Sequence, residues 1–324
     1  MKKITVIGGG TGTFVVLTGL KSYSVDLSVI VSMMDSGGST GRLRDQLGVL
    51  PPGDLRQCLV ALSDAPLLWR KLFLYRFEKG DFSGHNFGNL FLSALEKVSN
   101  NYDQVIETAA YILKTKGQVI PVTFKKTTLC AQYGDGNIVK GEGKIDTNIE
   151  KKQRIKLAFL EPQVTANPKA LEAISDSDYI VIGPGDLYTS IVPVLLTNNI
   201  KEKLINSRAK IIYILNLMTK LGQTNDYRAL DFINDLQKYL GRSPDYVVIN
   251  NGKIPTDIIK WYLEHHEKTV INNLTANNFS GKLQIDDLID MNSFKKEKTD
   301  RLIRSVLRHN PQKLAKTLLK IIKI

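Results

Sequence analysis

The strand-like run Ile4-Thr5-Val6-Ile7 passes directly into Gly8-Gly9-Gly10-Thr11-Gly12-Thr13, and an apolar helical stretch follows. A strand that ends in a glycine loop and re-enters a helix is the building unit of a parallel βαβ sheet. Glycines let backbone N–H groups approach an anion closely, and the helix presents its positive N-terminal end. Thr13 stands where a dinucleotide fingerprint would place its third glycine, so this loop alone does not define the ligand. The unit recurs, however. Residues 27–31 lead into Asp35-Ser36-Gly37-Gly38-Ser39-Thr40-Gly41-Arg42-Leu43-Arg44, and residues 179–182 into Gly183-Pro184-Gly185-Asp186-Leu187-Tyr188-Thr189-Ser190. Three such junctions predict an α/β fold: a Rossmann-like, mainly parallel sheet flanked by helices, with several anion-binding loops along one edge. A nucleotide or nucleotide-sugar site follows from that arrangement.

The rest of the chain fits a single α/β domain over 1–324. A helix from about Asp54 buries Leu55, Cys58, Leu59 and Leu62, and another from about Phe87 repeats the spacing with Leu90, Phe91, Ala94, Leu95 and Val98. Between 119 and 160 the period changes. Residues 119–124, 128–133, 138–144 and 155–159 read as short strands, with Tyr133-Gly134-Asp135-Gly136-Asn137 as a hairpin turn, which predicts a β-rich insertion within the domain. Beyond it, residues 211–215 lead to Asn216-Leu217-Met218-Thr219, and 246–249 to Asn250-Asn251. Ligands of open α/β sheets sit outside the carboxyl ends of the strands, where all these polar clusters fall.

Charge is unevenly spread. Residues 291–324 hold ten Lys and Arg against Glu297 and Asp300, so this basic C-terminal helical segment carries +8 of the net +12. Its last helix places Lys313, Lys316, Lys320 and Lys323 on one face and Leu314, Leu318, Ile321 and Ile322 largely away from it, which predicts docking on the core. No RNA-binding aromatic motif or zinc-finger spacing accompanies the charge, so nucleic acid is not an expected partner. Cys58 and Cys130 cannot form a disulfide framework, no apolar run approaches the roughly 18 residues of a membrane span, and the glycine loop begins too early for a signal peptide. A cytoplasmic protein with no transmembrane segment is expected.

Candidate ligand contacts are Gly8, Gly9, Gly10, Thr11 and Gly12 in the first loop, and Asp35, Gly37, Gly38, Ser39, Thr40, Arg42 and Arg44 in the second. Asp35 lies where a dinucleotide fold places its ribose acid, and the arginines suit phosphate or carboxylate. Asp54 is a candidate, with a capping box to Gln57 as the alternative. His85, Asn86 and Asn89 open a helix; Asn86 could be only its N-cap, and His85 could bond a ligand or the backbone. Gly183, Gly185, Asp186, Tyr188, Thr189 and Ser190 form the third loop, and Asn216 and Thr219 the fourth. His265 and His266 read as exposed. The serine-nucleophile elbow, the P-loop ending and zinc-ligand spacing are all missing, and no metal site and no catalytic residue emerges.

Taken in order, the first loop, Asp35 to Arg44, Pro51-Pro52-Gly53-Asp54-Leu55-Arg56, Gly84-His85-Asn86-Phe87-Gly88-Asn89-Leu90, Gly183 to Ser190, Asn216 to Thr219 and Arg308-His309-Asn310-Pro311 resemble the YvcK family of gluconeogenesis factors, related to the CofD 2-phospho-L-lactate transferases. The resemblance covers nearly the whole chain. It implies a UDP-N-acetylglucosamine-like nucleotide sugar as ligand, with no cofactor required, and a regulatory role in cell shape and cell-wall synthesis during gluconeogenic growth. A cell-wall synthesis protein as partner and a homo-oligomer are further expectations. It also assigns Tyr262 to stacking and Arg308 to phosphate pairing. GDP or NAD are alternative ligands, and a CofD-like transfer of a phospholactyl-type group is the alternative activity. Three positions depart from the family pattern: Ser36 stands where a second acid is usual, Gln223 where an acid closes the Met-Thr motif, and Asp186 where serine is common.

Overall fold

The computed structural model describes residues 1–148, 153–291 and 306–323. Its centre is β1 (Lys2–Gly8), which pairs in parallel with β2 (Val25–Val31) on one side and, across 170 residues of sequence, with the strand Tyr179–Ile182 on the other. Ile4, Val6 and Ile7 are fully buried, as expected of a strand covered on both faces by helices. Adding β3 (Gln118–Pro121), β4 (Thr128–Tyr133), β5 (Ile138–Lys140), β6 (Ile155–Glu161), β7 (Tyr179–Ile182), β8 (Lys210–Ile214), β9 (Tyr246–Asn250) and β10 (Lys282–Asp286) completes two sheets. The main sheet has seven parallel strands in the order β10-β9-β8-β7-β1-β2-β3, and the small one is antiparallel, β5-β4-β6.

Two local expectations change. The strand read over 119–124 is β3, which pairs Ser28 to Val31 of β2 with Gln118 to Pro121, so it is the edge of the main sheet. The strand read over 138–144 stops at Lys140, because Gly141 at φ 101° turns the chain out of the ladder and the helix Glu142–Asp146 begins. The hairpin turn at 133–137 is present, closed by Tyr133 N–H donating to the Asn137 carbonyl at 2.9 Å.

The strand order reverses direction at β1, with β2 to one side and β7, β8 and β9 to the other. This is the switch point at which a cleft opens above the carboxyl ends. The helix α1 (Gly10–Leu20) follows β1, α2 (Gly38–Leu47) and α3 (Gly53–Leu62) follow β2, and α4 (Leu67–Leu74) and α5 (Phe87–Val98) lie beyond them. The C-terminal helix Pro311–Ile322, N-capped by Asn310, buries Leu314, Ala315, Leu318, Ile321 and Ile322, and it lies against α1. A Cβ on Gly19 would meet the Pro311 carbonyl oxygen at 2.3 Å, so glycine sets how close the two helices come. Lys313 and Lys320 pair with Asp287 and Asp286, which fixes the docked orientation predicted for this helix. The remainder of the basic stretch, 292–305, lies outside the described residues. Among the described residues no helix is long and apolar enough to cross a membrane.

The tightest approach in the fold is at Gly12, where an added Cβ would fall 1.2 Å from the Pro184 carbonyl oxygen. Both partners are backbone, so no side chain can yield. Gly12→Ala is expected to lower stability by roughly 3 kcal/mol, the upper range for overpacking, measured by urea denaturation. An unchanged midpoint would show that the two loops separate freely.

Candidate functional site

The three glycine junctions meet above β2, β1 and β7. Gly9 precedes α1, and an added Cβ there would lie 2.1 Å from Asp54 Oδ2. Gly10 N–H donates to Asp54 Oδ1 at 2.8 Å. The first loop therefore already presents one of its amides to a carboxylate of the protein. Asp54 does not form the capping box with Gln57: the N-cap position of α3 is Pro52, and no side chain caps the helix. Its charge instead lies in the first turn of α3, where the helix dipole favours it.

The second loop is tied down from both sides. Asp35 Oδ1 accepts from Gly37 N–H at 2.9 Å, and Gly53 allows α3 to press against Asp35 and Thr40. Ser39 Oγ lies 3.2 Å from His85 Nδ1 and accepts from Asn86 N–H and Asn89 Nδ2, both at 3.3 Å. Asn86 caps α5 by accepting from Asn89 N–H and spends its Nδ2 on the Leu74 carbonyl. The third loop is a single π-helical turn, Leu187–Ile191, in which the N–H groups of Ser190 and Ile191 share the Asp186 carbonyl. Asn216 joins this turn to β8 by donating to the Gly185 carbonyl at 2.8 Å.

These loops enclose a cavity of about 460 Å³, within the range of small-ligand sites. Of the residues expected to contact a ligand, Gly9, Gly10, Thr11, Gly12, Asp35, Gly37, Gly38, Ser39, Thr40, Arg42, Asp54, Asn89, Gly185, Asp186, Thr189, Ser190, Asn216, Thr219, Tyr262 and Arg308 line it. Six do not. Gly8 ends β1 and Gly183 directly follows β7. Arg44 points out to Asp45, 2.8 Å away. His85 and Asn86 stand behind Ser39, and Tyr188 turns its hydroxyl into the core, 2.5 Å from Asp235. Tyr262 lines the cavity, but it is 1% exposed, packs with Ile254, Ile289 and Leu307, and accepts from Leu307 N–H. Its ring anchors the wall that carries Arg308. His265 is half-buried against Trp261, to whose carbonyl its Nδ1 is bonded at 2.7 Å.

Several lining residues were not among the expected ligand contacts. Arg56 and Arg76 reach the rim while bonding the carbonyls of Phe73 and Gly84. Glu142 and Asp146 arrive from the short helix of the small sheet, Lys220 from the loop after β8, and Glu267 from the segment beyond the helix Thr256–Glu264.

Charge crowds here. Burial, then the carboxylates of Asp35 and Asp146, push the Glu142 carboxyl well above its usual range. Burial also raises Asp186 and Glu267, against the pull of Lys220. For Lys220 burial acts downward, yet Asp186, Asp146 and Glu267 outweigh it and hold the ammonium pKa above its ordinary value. Burial, with Arg42 and Arg76 nearby, lowers His85. His309 is pushed down to about 4 by burial alone. Among the described residues no group of His, Cys, Asp and Glu is arranged to hold a metal ion.

An open parallel sheet with a charged cavity over its switch point defines an α/β protein of the doubly wound, ligand-binding class. The model of the family described as 2-phospho-L-lactate transferase CofD matches residues 4–286. A putative gluconeogenesis factor of Aquifex aeolicus is 40% identical over 334 residues, spanning 99% of this chain and 98% of that protein. The gluconeogenesis factor of Bacillus subtilis is 38% identical over 324 residues, at 99% and 98% coverage. A crystal structure of a member of the UPF0052 family from Bacillus halodurans superposes with a TM-score of 0.88 at 36% identity, covering 98% of this chain and all of that one. The chain belongs to the CofD family, in its YvcK branch of gluconeogenesis factors.

The Glu142 carboxyl yields a linkage prediction. A carboxyl whose pKa is raised on folding favours the folded state most below its unfolded value, near 4.5. That contribution is lost as pH rises through the folded value. Glu142→Gln keeps the acceptor for Ser36 N–H and removes the ionisation. The variant is expected to melt higher than the parent at pH 8, with the gain shrinking toward nothing near pH 4. A gain independent of pH in thermal melts would show that folding does not raise the Glu142 carboxyl.

Proposed function

We propose that this protein is a nucleotide-sugar-binding regulator, with a UDP-N-acetylglucosamine-like ligand. The observation that carries the reading is that one cavity gathers several guanidiniums together with a set of carboxyl, amide and hydroxyl groups. Arg42, Arg56, Arg76 and Arg308 line it together with the N-terminal turn of α2, a set suited to a diphosphate. Asp146, Asp186, Lys220, Asn216 and Thr189 line it too, and they suit the hydroxyl and amide groups of a sugar. Because Asp54 already accepts from Gly10 and Asp35 from Gly37, the diphosphate is assigned chiefly to the arginines, with the glycine loops beside it. The names of the relatives support a role in gluconeogenic growth; within it we assign support of cell shape and cell-wall synthesis, exerted on a cell-wall synthesis protein by a cytoplasmic homo-oligomer.

The family model favours a second reading, a CofD-like transfer of a phospholactyl-type group from a nucleotide carrier. NAD is less well supported, since the Asp35 carboxylate that would hold a ribose accepts from its own loop. Calorimetric titration with UDP-N-acetylglucosamine, NAD and GDP separates the three. Micromolar binding of the UDP-sugar alone, without turnover, is expected. Preference for GDP with acceptor-dependent nucleotide release would favour the transferase, and preference for NAD would overturn the ligand assignment.

Arg308→Ala is expected to weaken UDP-sugar binding by roughly 1.5–3 kcal/mol, the range for a hydrogen bond to a charged group. Undiminished affinity in a folded variant would remove Arg308 from the phosphate subsite.

A further inference from the structure

Of the carboxyl groups that line the cavity, Asp35, Asp54 and Glu142 stand at the glycine loops, and three others gather about a lysine. Asp146 comes from the small sheet's helix, Asp186 from the turn after β7, and Glu267 from beyond the helix Thr256–Glu264. The three share a single cation, Lys220, whose Nζ lies 3.6 Å from Asp146. Their remaining bonds are few. Asp146 Oδ1 accepts from Gln223 Nε2 at 3.2 Å, and Glu267 Oε1 accepts from Leu221 N–H at 3.3 Å. Asp186 is half-buried and lines the cavity, and no described residue donates a hydrogen bond to its carboxylate. This wall therefore offers spare acceptors and surplus negative charge. The arginines come from other elements: α2, α3, the turn before α5 and the segment after Leu307.

That grouping distinguishes among nucleotide sugars. Hydroxyl and amide N–H groups are donors, and spare carboxylate lone pairs accept them. A carboxylate on the sugar would bring a like charge into an enclosed space, where screening is weak and repulsion is strong. Lys220 offers little relief, because its charge is already shared among three acids. We infer that the site selects nucleotide sugars whose sugar is uncharged and rich in hydrogen-bond donors, that it rejects uronic-acid sugars, and that Asp186 and Asp146 set this preference. The inference rests on the nucleotide-sugar reading above.

The test is calorimetric titration of the full chain with UDP-glucose, UDP-N-acetylglucosamine and UDP-glucuronate at fixed pH and salt. UDP-glucose and UDP-glucuronate differ only at C6, so their affinity ratio isolates the charge. A preference for UDP-glucose of about tenfold or more is expected in the unaltered protein. Asp186→Asn and Asp146→Asn keep the size of each side chain, and at least one should narrow the preference to about threefold or less. Equal affinity for the two sugars in the unaltered protein would overturn the inference, even if both variants failed to fold. So would a preference undiminished in both folded variants. Failure of every UDP compound to bind would instead bring down the nucleotide-sugar reading and this inference with it.

Discussion

Everything at the cavity depends on the backbone contact between Gly12 and Pro184. It locks the first turn of α1 onto the loop after β7, joining two junctions that are far apart in sequence and adjacent in the sheet. From there the rim is built by short-range substitutes for side-chain packing. Asp54 reaches Gly10, which ties α3 to the first loop, and Gly53 lets the same helix press on Asp35 and Thr40 of the second. Three loops thus become one rigid body without an apolar core between them. Rigidity of this kind suits a binding site, since donors held in place lose little entropy when a ligand arrives.

The same construction decides where an anion can go. A glycine loop at a helix N-terminus is ordinarily an anion site in waiting. Here a carboxylate has taken one of its amides, and a phosphate placed there would face Asp54 at close range. The guanidiniums are the favourable alternative. Carboxyl groups crowd the same cavity, and burial, with Asp35 and Asp146 beside it, pushes the Glu142 carboxyl well above its usual range. The cavity thus brings guanidiniums and carboxyl groups together in one enclosed space.

Sequence patterning disclosed the strand ends and therefore the cavity's position, because a parallel sheet forces its loops to one edge. It could not disclose the direction of each side chain. Asp186, Tyr188, Thr189 and Ser190 are neighbours in the chain, yet in a helical turn successive side chains diverge by roughly 100°. Three of them line the cavity, while Tyr188 enters the core and binds Asp235. His85 and Asn86 were legible as the start of a helix, and their neighbour Asn89, one turn on, is the member that faces the cavity. Glu142, Asp146 and Glu267 were beyond reach for another reason. Their arrival depends on how the small sheet and a late segment pack over β7 and β8, which no local periodicity encodes.

The two sites where acids expected from the resemblance are missing show how that packing compensates. Ser36 stands in place of a carboxylate, and its Oγ accepts from Gly143 N–H at 2.9 Å while its N–H donates to Glu142 Oε2 at 3.2 Å. An acid at 36 would oppose Glu142 at that distance; serine accepts the small sheet's helix and brings Glu142 in. Gln223 likewise donates to Asp146, the acid at the other end of the same helix. Both departures therefore turn toward the helix Glu142–Asp146, which returns two carboxyls to the cavity from a different part of the chain. Carboxyl groups are thus returned to the cavity while their source in the sequence moves, and a comparison of motifs alone would have scored the loss without the replacement.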